Sequence, residues 1–115
     1  MLFMLLLHGD EAAEAAMSPD ERRAIVEDHI RFSREIGERG VNRGGEALAA
    51  SSEAKIVRPG PDGAIVSDGP FAETKEQLGG FYLLDLADLD EAIEMAKRVP
   101  ASPGLVVEVR SVSAV

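Results

Sequence analysis

Gly79-Gly80-Phe81-Tyr82-Leu83-Leu84-Asp85-Leu86, followed by Asp88-Leu89-Asp90-Glu91-Ala92 and closed by Pro100, decides the fold. Alternation places Phe81 and Leu83 on one side of the first segment and Tyr82, Leu84 and Leu86 on the other, which makes it a strand apolar on both faces. Asp88 with Glu91 three positions on is a capping-box pattern, and Leu89, Ala92, Ile93, Ala96 and Val99 then share one helical stripe. Pro100 ends that helix, because it lacks an amide hydrogen and clashes with the preceding turn. Leu105-Val106-Val107-Glu108-Val109-Arg110-Ser111-Val112 is the strand after it.

The same unit occurs upstream. Met1-Leu2-Phe3-Met4-Leu5-Leu6-Leu7 reads as a strand, since it lacks the basic start and small-residue cleavage pattern of a signal peptide and is far shorter than a membrane span. An acidic, Ala-rich connector leads to Ser18-Pro19-Asp20-Glu21, with Ser at the N-cap, Pro at the first helical position and Glu three beyond the cap. Ile25, His29, Phe32 and Ile36 follow at helical spacing, and Gly40 supplies the stop. Glu21, Arg22, Asp28, Arg31, Arg34, Glu35 and Glu38 fall on the water-facing side. A short strand is expected around residues 46–49. Between the two units, Lys55-Ile56-Val57-Arg58 and Ala64-Ile65-Val66-Ser67 flank the turn formers Pro59-Gly60-Pro61-Asp62-Gly63, a hairpin pattern.

The sum is strand-helix-strand, a hairpin, then strand-helix-strand: an α+β, ferredoxin-like antiparallel sheet with two helices on one face. The second face is also apolar, and sheet-to-sheet homodimerisation is the simplest way to cover it. The 115 residues suit one domain spanning 1–115. A formal charge of −9 repels phosphate backbones and anionic lipid heads, which argues against nucleic-acid and membrane-surface binding. Without cysteine there is no thiolate chemistry, and the expected compartment is the cytoplasm.

Asp68-Gly69-Pro70-Phe71-Ala72-Glu73-Thr74-Lys75-Glu76, running into Gln77-Leu78-Gly79-Gly80-Phe81-Tyr82, resembles the signature of the DGPF group of the YCII-related family. The resemblance covers nearly the whole chain. It implies a ferredoxin-like fold that pairs into a dimeric α+β barrel, in bacterial proteins often encoded beside extracytoplasmic-function sigma factors and mostly without an assigned activity. It also implies a site built from a histidine and an aspartate. The histidine lies on the first helix, eleven residues before the glycine that ends it, the relation in which His29 stands to Gly40. The aspartate is expected before a proline after the second helix, but Val99 precedes Pro100 here, so Asp68 is the substitute partner.

These residues carry the chemistry. Burial on the apolar stripe would depress the His29 pKa and a carboxylate would restore it, leaving a base for work near neutral pH. The plainer role for such a histidine is to sit at the helix–sheet boundary with one backbone partner. Asp68, Gly69 and Pro70 have turn chemistry of their own, whereas Glu73, Thr74 and Lys75 would present an acid, a hydroxyl and a cation to a small polar ligand. Phe71 is an apolar anchor beside them, and Gly80 allows close approach to the strand. His8, Asp10 and Glu11 form no recognised ligand spacing with His29, and no phosphate loop or nucleophile elbow occurs, so neither a metal nor a cofactor is expected. Two readings follow. One is a cofactor-free enzyme acting on a small organic acid or carbonyl compound by isomerisation or elimination, with His29 as proton acceptor and Asp68 orienting it. The other is a non-catalytic ligand-sensing or protein-binding module linked to sigma-factor regulation.

Overall fold

A computed structural model describes residues 1–114. The elements in chain order are β1 (Leu2–Asp10), α1 (Glu11–Ala15), α2 (Pro19–Glu38), β2 (Asn42–Ala47), β3 (Lys55–Gly60), β4 (Gly63–Asp68), β5 (Glu76–Asp85), α3 (Leu89–Ala96) and β6 (Val106–Ser111). Four strands form one sheet in the order β2-β5-β1-β6, with antiparallel neighbours throughout. With the hairpin set aside, this is the order of two interleaved strand-helix-strand units, the ferredoxin-like α+β plan. No helix among the described residues is long and apolar enough to cross a membrane.

The helix boundaries follow local chemistry. Ser18 accepts from the Glu21 amide while Glu21 reaches back to the Ser18 amide, and Gly40 takes φ 72° just past the end of α2. The acidic, Ala-rich connector contains an additional helix, α1, capped by Asp10 accepting from the Ala13 amide. Asp88 caps α3, but the helix stops at Ala96, earlier than Pro100 requires. The first-half strand expected at 46–49 runs instead over Asn42–Ala47, where Gly44 and Gly45 hide the period-two pattern.

Phe3, Leu5, Tyr82 and Leu84 from the sheet, with Leu86 just past β5, pack with Phe32 and Ile36 of α2 and with Ala92, Met95 and Val99 in and after α3. Both long helices therefore cover one face. Ion pairs Arg39–Glu91, at 3.3 Å, and Arg98–Glu35 tie the two helical regions at their solvent edge. Alternation places Met4 and Leu6 of β1 on the other face, opposite Leu83 and Phe81 of β5. Among the described residues no second layer lies above their half-buried side chains.

The hairpin is separate from this body. β3 and β4 pair only with each other, in a register that carries Pro59↔Ala64 and Gly60↔Gly63. The five-residue connector expected from sequence thus shrinks to a turn at Pro61 and Asp62. Every residue of β4 is exposed. The radius of gyration is 16.1 Å, against about 13 Å for a compact chain of this length, and the extents are 49 × 43 × 18 Å. The excess is that of a flat molecule with a projecting arm.

Candidate functional site

A cleft of about 690 Å³ lies between the first half of α2 and the sheet, and its floor explains its existence. The helix-facing row of the sheet is occupied by Phe3, Leu5, Tyr82 and Leu84 at one end, but by Gly9, Gly80 and Ala47 at the other. Apart from Leu7 and the Ala47 methyl this end of the floor is bare, and space remains under the helix. A Cβ at Gly45 would lie 2.8 Å from the Phe81 carbonyl oxygen, and one at Gly80 would lie 3.0 Å from that of Glu46, so these glycines also let β2 sit close against β5. A Cβ on Gly9 would collide with the Glu14 carboxyl, which rests over that position. Met17, Ile25, Val26 and Leu105 provide apolar walls.

Polar groups converge on this space. His29 comes from the apolar stripe of α2, and its Nδ1 is 2.6 Å from the Tyr82 hydroxyl. The two rings are nearly parallel, 13° apart with centroids at 6.0 Å, while Phe32 meets Tyr82 edge-on at 5.0 Å. Burial holds the imidazole below its ordinary pKa, only partly offset by the Asp28 carboxylate, which is itself paired with Arg31. Burial likewise pushes the Tyr82 phenol up, against a smaller opposing effect from its hydrogen bond with Ser33. Near neutral pH the pair is therefore an uncharged imidazole and an uncharged phenol. At the mouth, burial raises the Glu14 carboxyl, helped by the charges of Glu11 and Asp10.

The residues expected from sequence divide between two places. His29 and Gly80 both line the cleft. None of residues 68–76 does. The Asp68 carboxylate is 82% exposed and paired with Lys55 across the arm, so within one chain it does not orient His29; Tyr82 occupies that place. Asp68 ends β4, and β4 belongs to the arm rather than to the body that carries the imidazole. Gly69 packs against Ala54 and donates its amide to the Ala54 carbonyl at 2.8 Å, with Pro70 next to it. Phe71 is 79% exposed, with the Arg58 guanidinium 5.9 Å from its ring centroid. Glu73 is exposed. Thr74 and Lys75 border a separate, open depression with His8, Glu76 and Glu108, where Lys75 lies 3.9 Å from Asp10 and His8 lies 3.0 Å from Glu108. Among the described residues no group of three or more His, Asp or Glu side chains is placed to hold a metal ion.

Sequence reasoning missed Tyr82, Ser33, Glu14 and Arg22. For Tyr82 a signal existed. It is the chain's single tyrosine, on the same strand face as Leu84, and a buried phenol needs a partner that the polar member of the α2 stripe supplies.

The YCII-related domain matches residues 1–114. The chain belongs to the YCII-related family. It is also 40% identical over 97 residues to an uncharacterized protein of Rhizobium meliloti (strain 1021), covering 84% of this chain and 78% of that one. In this YCII-related domain, the histidine singled out on the first long helix is therefore seated in a cleft, but with a tyrosine as its immediate partner.

Proposed function

We propose that this YCII-related protein binds a small organic acid or carbonyl compound in the glycine-floored cleft, and that His29, oriented by Tyr82, moves a proton in a cofactor-free isomerisation or elimination. The observation that carries the reading is the 2.6 Å contact between His29 Nδ1 and the Tyr82 hydroxyl at the inner end of an open cleft. With Nδ1–H donating to the Tyr82 oxygen, the tautomer this reading requires, Nε2 keeps its lone pair and serves as the base. A neutral imidazole held by a neutral phenol is a proton acceptor that needs no carboxylate.

The literal Asp68-to-Glu76 stretch supports placing the chain in the DGPF subgroup. Homodimerisation is part of the proposal. The uncovered face around Met4, Leu6, Phe81 and Leu83, together with the apolar side chains on the projecting arm, supports a second copy as the missing layer. A catalytic part for Asp68 and the loop through Lys75 then requires the arm to reach the cleft of the partner subunit.

The test is solvent deuterium incorporation next to the ketone of 4-oxopentanoate, followed by proton NMR. Exchange above the buffer rate is expected with the wild type, with a loss of about 100-fold or more in His29→Ala, the usual scale of a positioned general base. Exchange unaltered by His29→Ala removes the imidazole from the chemistry. Binding without exchange leaves the ligand-sensing reading in its place.

A further inference from the structure

We propose that Arg22 anchors a carboxylate on the ligand, so that the cleft selects small monoanionic acids with an apolar middle and a reactive carbonyl at the far end. This rests on the cleft being a ligand site and adds its substrate class. Arg22, Ile25, His29 and Ser33 all line the cleft and recur at spacings of three, four and four, so they share one stripe of α2. The water-facing position read for Arg22 from sequence is thus the rim of the cleft. Seven residues separate Arg22 from His29, roughly 10 Å of helix rise, a span that a short-chain keto acid and the arginine side chain can bridge together.

The guanidinium is already held. At the end of α1 its Nη2 donates to the carbonyl oxygens of Glu14 and Ala15 at 3.3 and 3.0 Å, the Glu14 oxygen also accepting from the Met17 amide. Those bonds use one nitrogen, and Nη1 and Nε carry no protein partner among the described residues. A preplaced cation with spare donors loses little freedom on meeting an anion. Arg22 is also the one arginine or lysine lining the cleft. In a chain of net charge −9 an acid gains attraction in that cleft only there. Glu14 and Glu46 line the same space and already outnumber the one guanidinium, so its attraction is local to Arg22 and a second carboxylate on the ligand is disfavoured.

The experiment is an amide-detected NMR titration of the full chain with 4-oxopentanoate and with its neutral counterpart 4-oxopentanamide, in wild type, Arg22→Met and Arg22→Lys. Expected is a preference of about tenfold or more for the carboxylate in the wild type, the scale of one charge-assisted hydrogen bond. That preference disappears in Arg22→Met while amide binding is unchanged, and Arg22→Lys restores part of it. Both probes shifting the Gly80 and Tyr82 amides with equal affinity, or a preference that survives Arg22→Met, overturns the anchor and leaves the cleft standing. Neither probe shifting those amides overturns the cleft reading and the anchor with it. Should Arg22→Met fold poorly after losing its bonds to α1, Arg22→Lys decides alone, since a preference equal to the wild type's together with a weaker binding of both probes contradicts a guanidinium-specific role.

Discussion

The four-stranded body and the β3–β4 arm both carry apolar side chains, yet only the body buries any fully. In the body, Leu5, Leu84 and Ile36 are fully buried between sheet and helices. In the arm, Val57 and Val66 face each other across the ladder and remain mostly exposed, Val66 at 64%. A two-stranded hairpin alone in water is marginal, because it has no third layer to shield its apolar face. The difference therefore separates residues that hold this chain together from residues whose burial depends on something outside it. Cutting each to alanine should expose the contrast most sharply. Leu5→Ala is expected to cost about 2–5 kcal/mol in urea unfolding, from lost transfer energy and the cavity left behind. Val66→Ala should change the unfolding free energy of the monomeric chain by no more than about 0.5 kcal/mol. Equal effects would show that the arm folds as part of the body.

The glycine end of the sheet is a second contrast within the body, because there the chain has given up packing to keep a cleft. Gly45→Ala would press a methyl to within 2.8 Å of a backbone oxygen that cannot swing aside, and is expected to cost about 1–3 kcal/mol. Gly9→Ala meets instead the end of the Glu14 side chain, which can move, so its cost to stability should be smaller while ligand affinity falls. Thermal melts of the two variants, compared with probe titrations, separate a glycine kept for strand contact from one kept for space. A larger stability loss at Gly9 would reverse that assignment.

A charge on the arm tests what covers it. Val57→Asp and Val66→Asp leave the body untouched, so far-ultraviolet circular dichroism should match the wild type. Light scattering on a size-exclusion column should show the dissociation constant of the dimer raised by about tenfold or more, as expected for a charge placed in an apolar contact. A monomeric wild type would remove the dimer from the proposal, and a dimer indifferent to both substitutions would place its interface on the face around Leu83.

Those parts of the body that were legible carry both a pattern and a punctuation mark. Ser18-Pro19-Asp20-Glu21 starts α2, Gly40 ends it, and the alternation through Tyr82 and Leu84 places β5. Strand β2 hid behind Gly44 and Gly45, which have no side chain to alternate, and α1 hid in a run too short for a periodic signal. Of the site, His29 could be read because it interrupts an apolar stripe. Its partner could not be read from local pattern, since 53 positions separate it from Tyr82 and only the pairing of β1 with β5 brings that strand under α2. Asp68 looked nearer to the chemistry than it is because it adjoins in sequence the loop that leads into β5 but lies in space on the arm.

The smallest expected effect is the dependence of stability on pH, in which the two ends of the cleft act with opposite sign. His29 has a folded pKa below its unfolded value, so the unfolded chain takes up the proton first. Its contribution to stability is present above about pH 6.5 and is lost as pH falls through the folded value. Glu14 has a folded pKa above its unfolded value, so its contribution is complete below about pH 4.5 and is lost as pH rises through the folded value. Replacing His29 with Gln should flatten the acid side of the stability profile just below pH 6.5, and replacing Glu14 with Gln should remove the decline that begins above pH 4.5. The two losses fall in neighbouring windows, so the wild-type curve alone would blend them and only the paired variants resolve it. If the histidine variant keeps the wild-type slope just below pH 6.5, burial does not govern the imidazole, and its case as a neutral base held by Tyr82 fails with it.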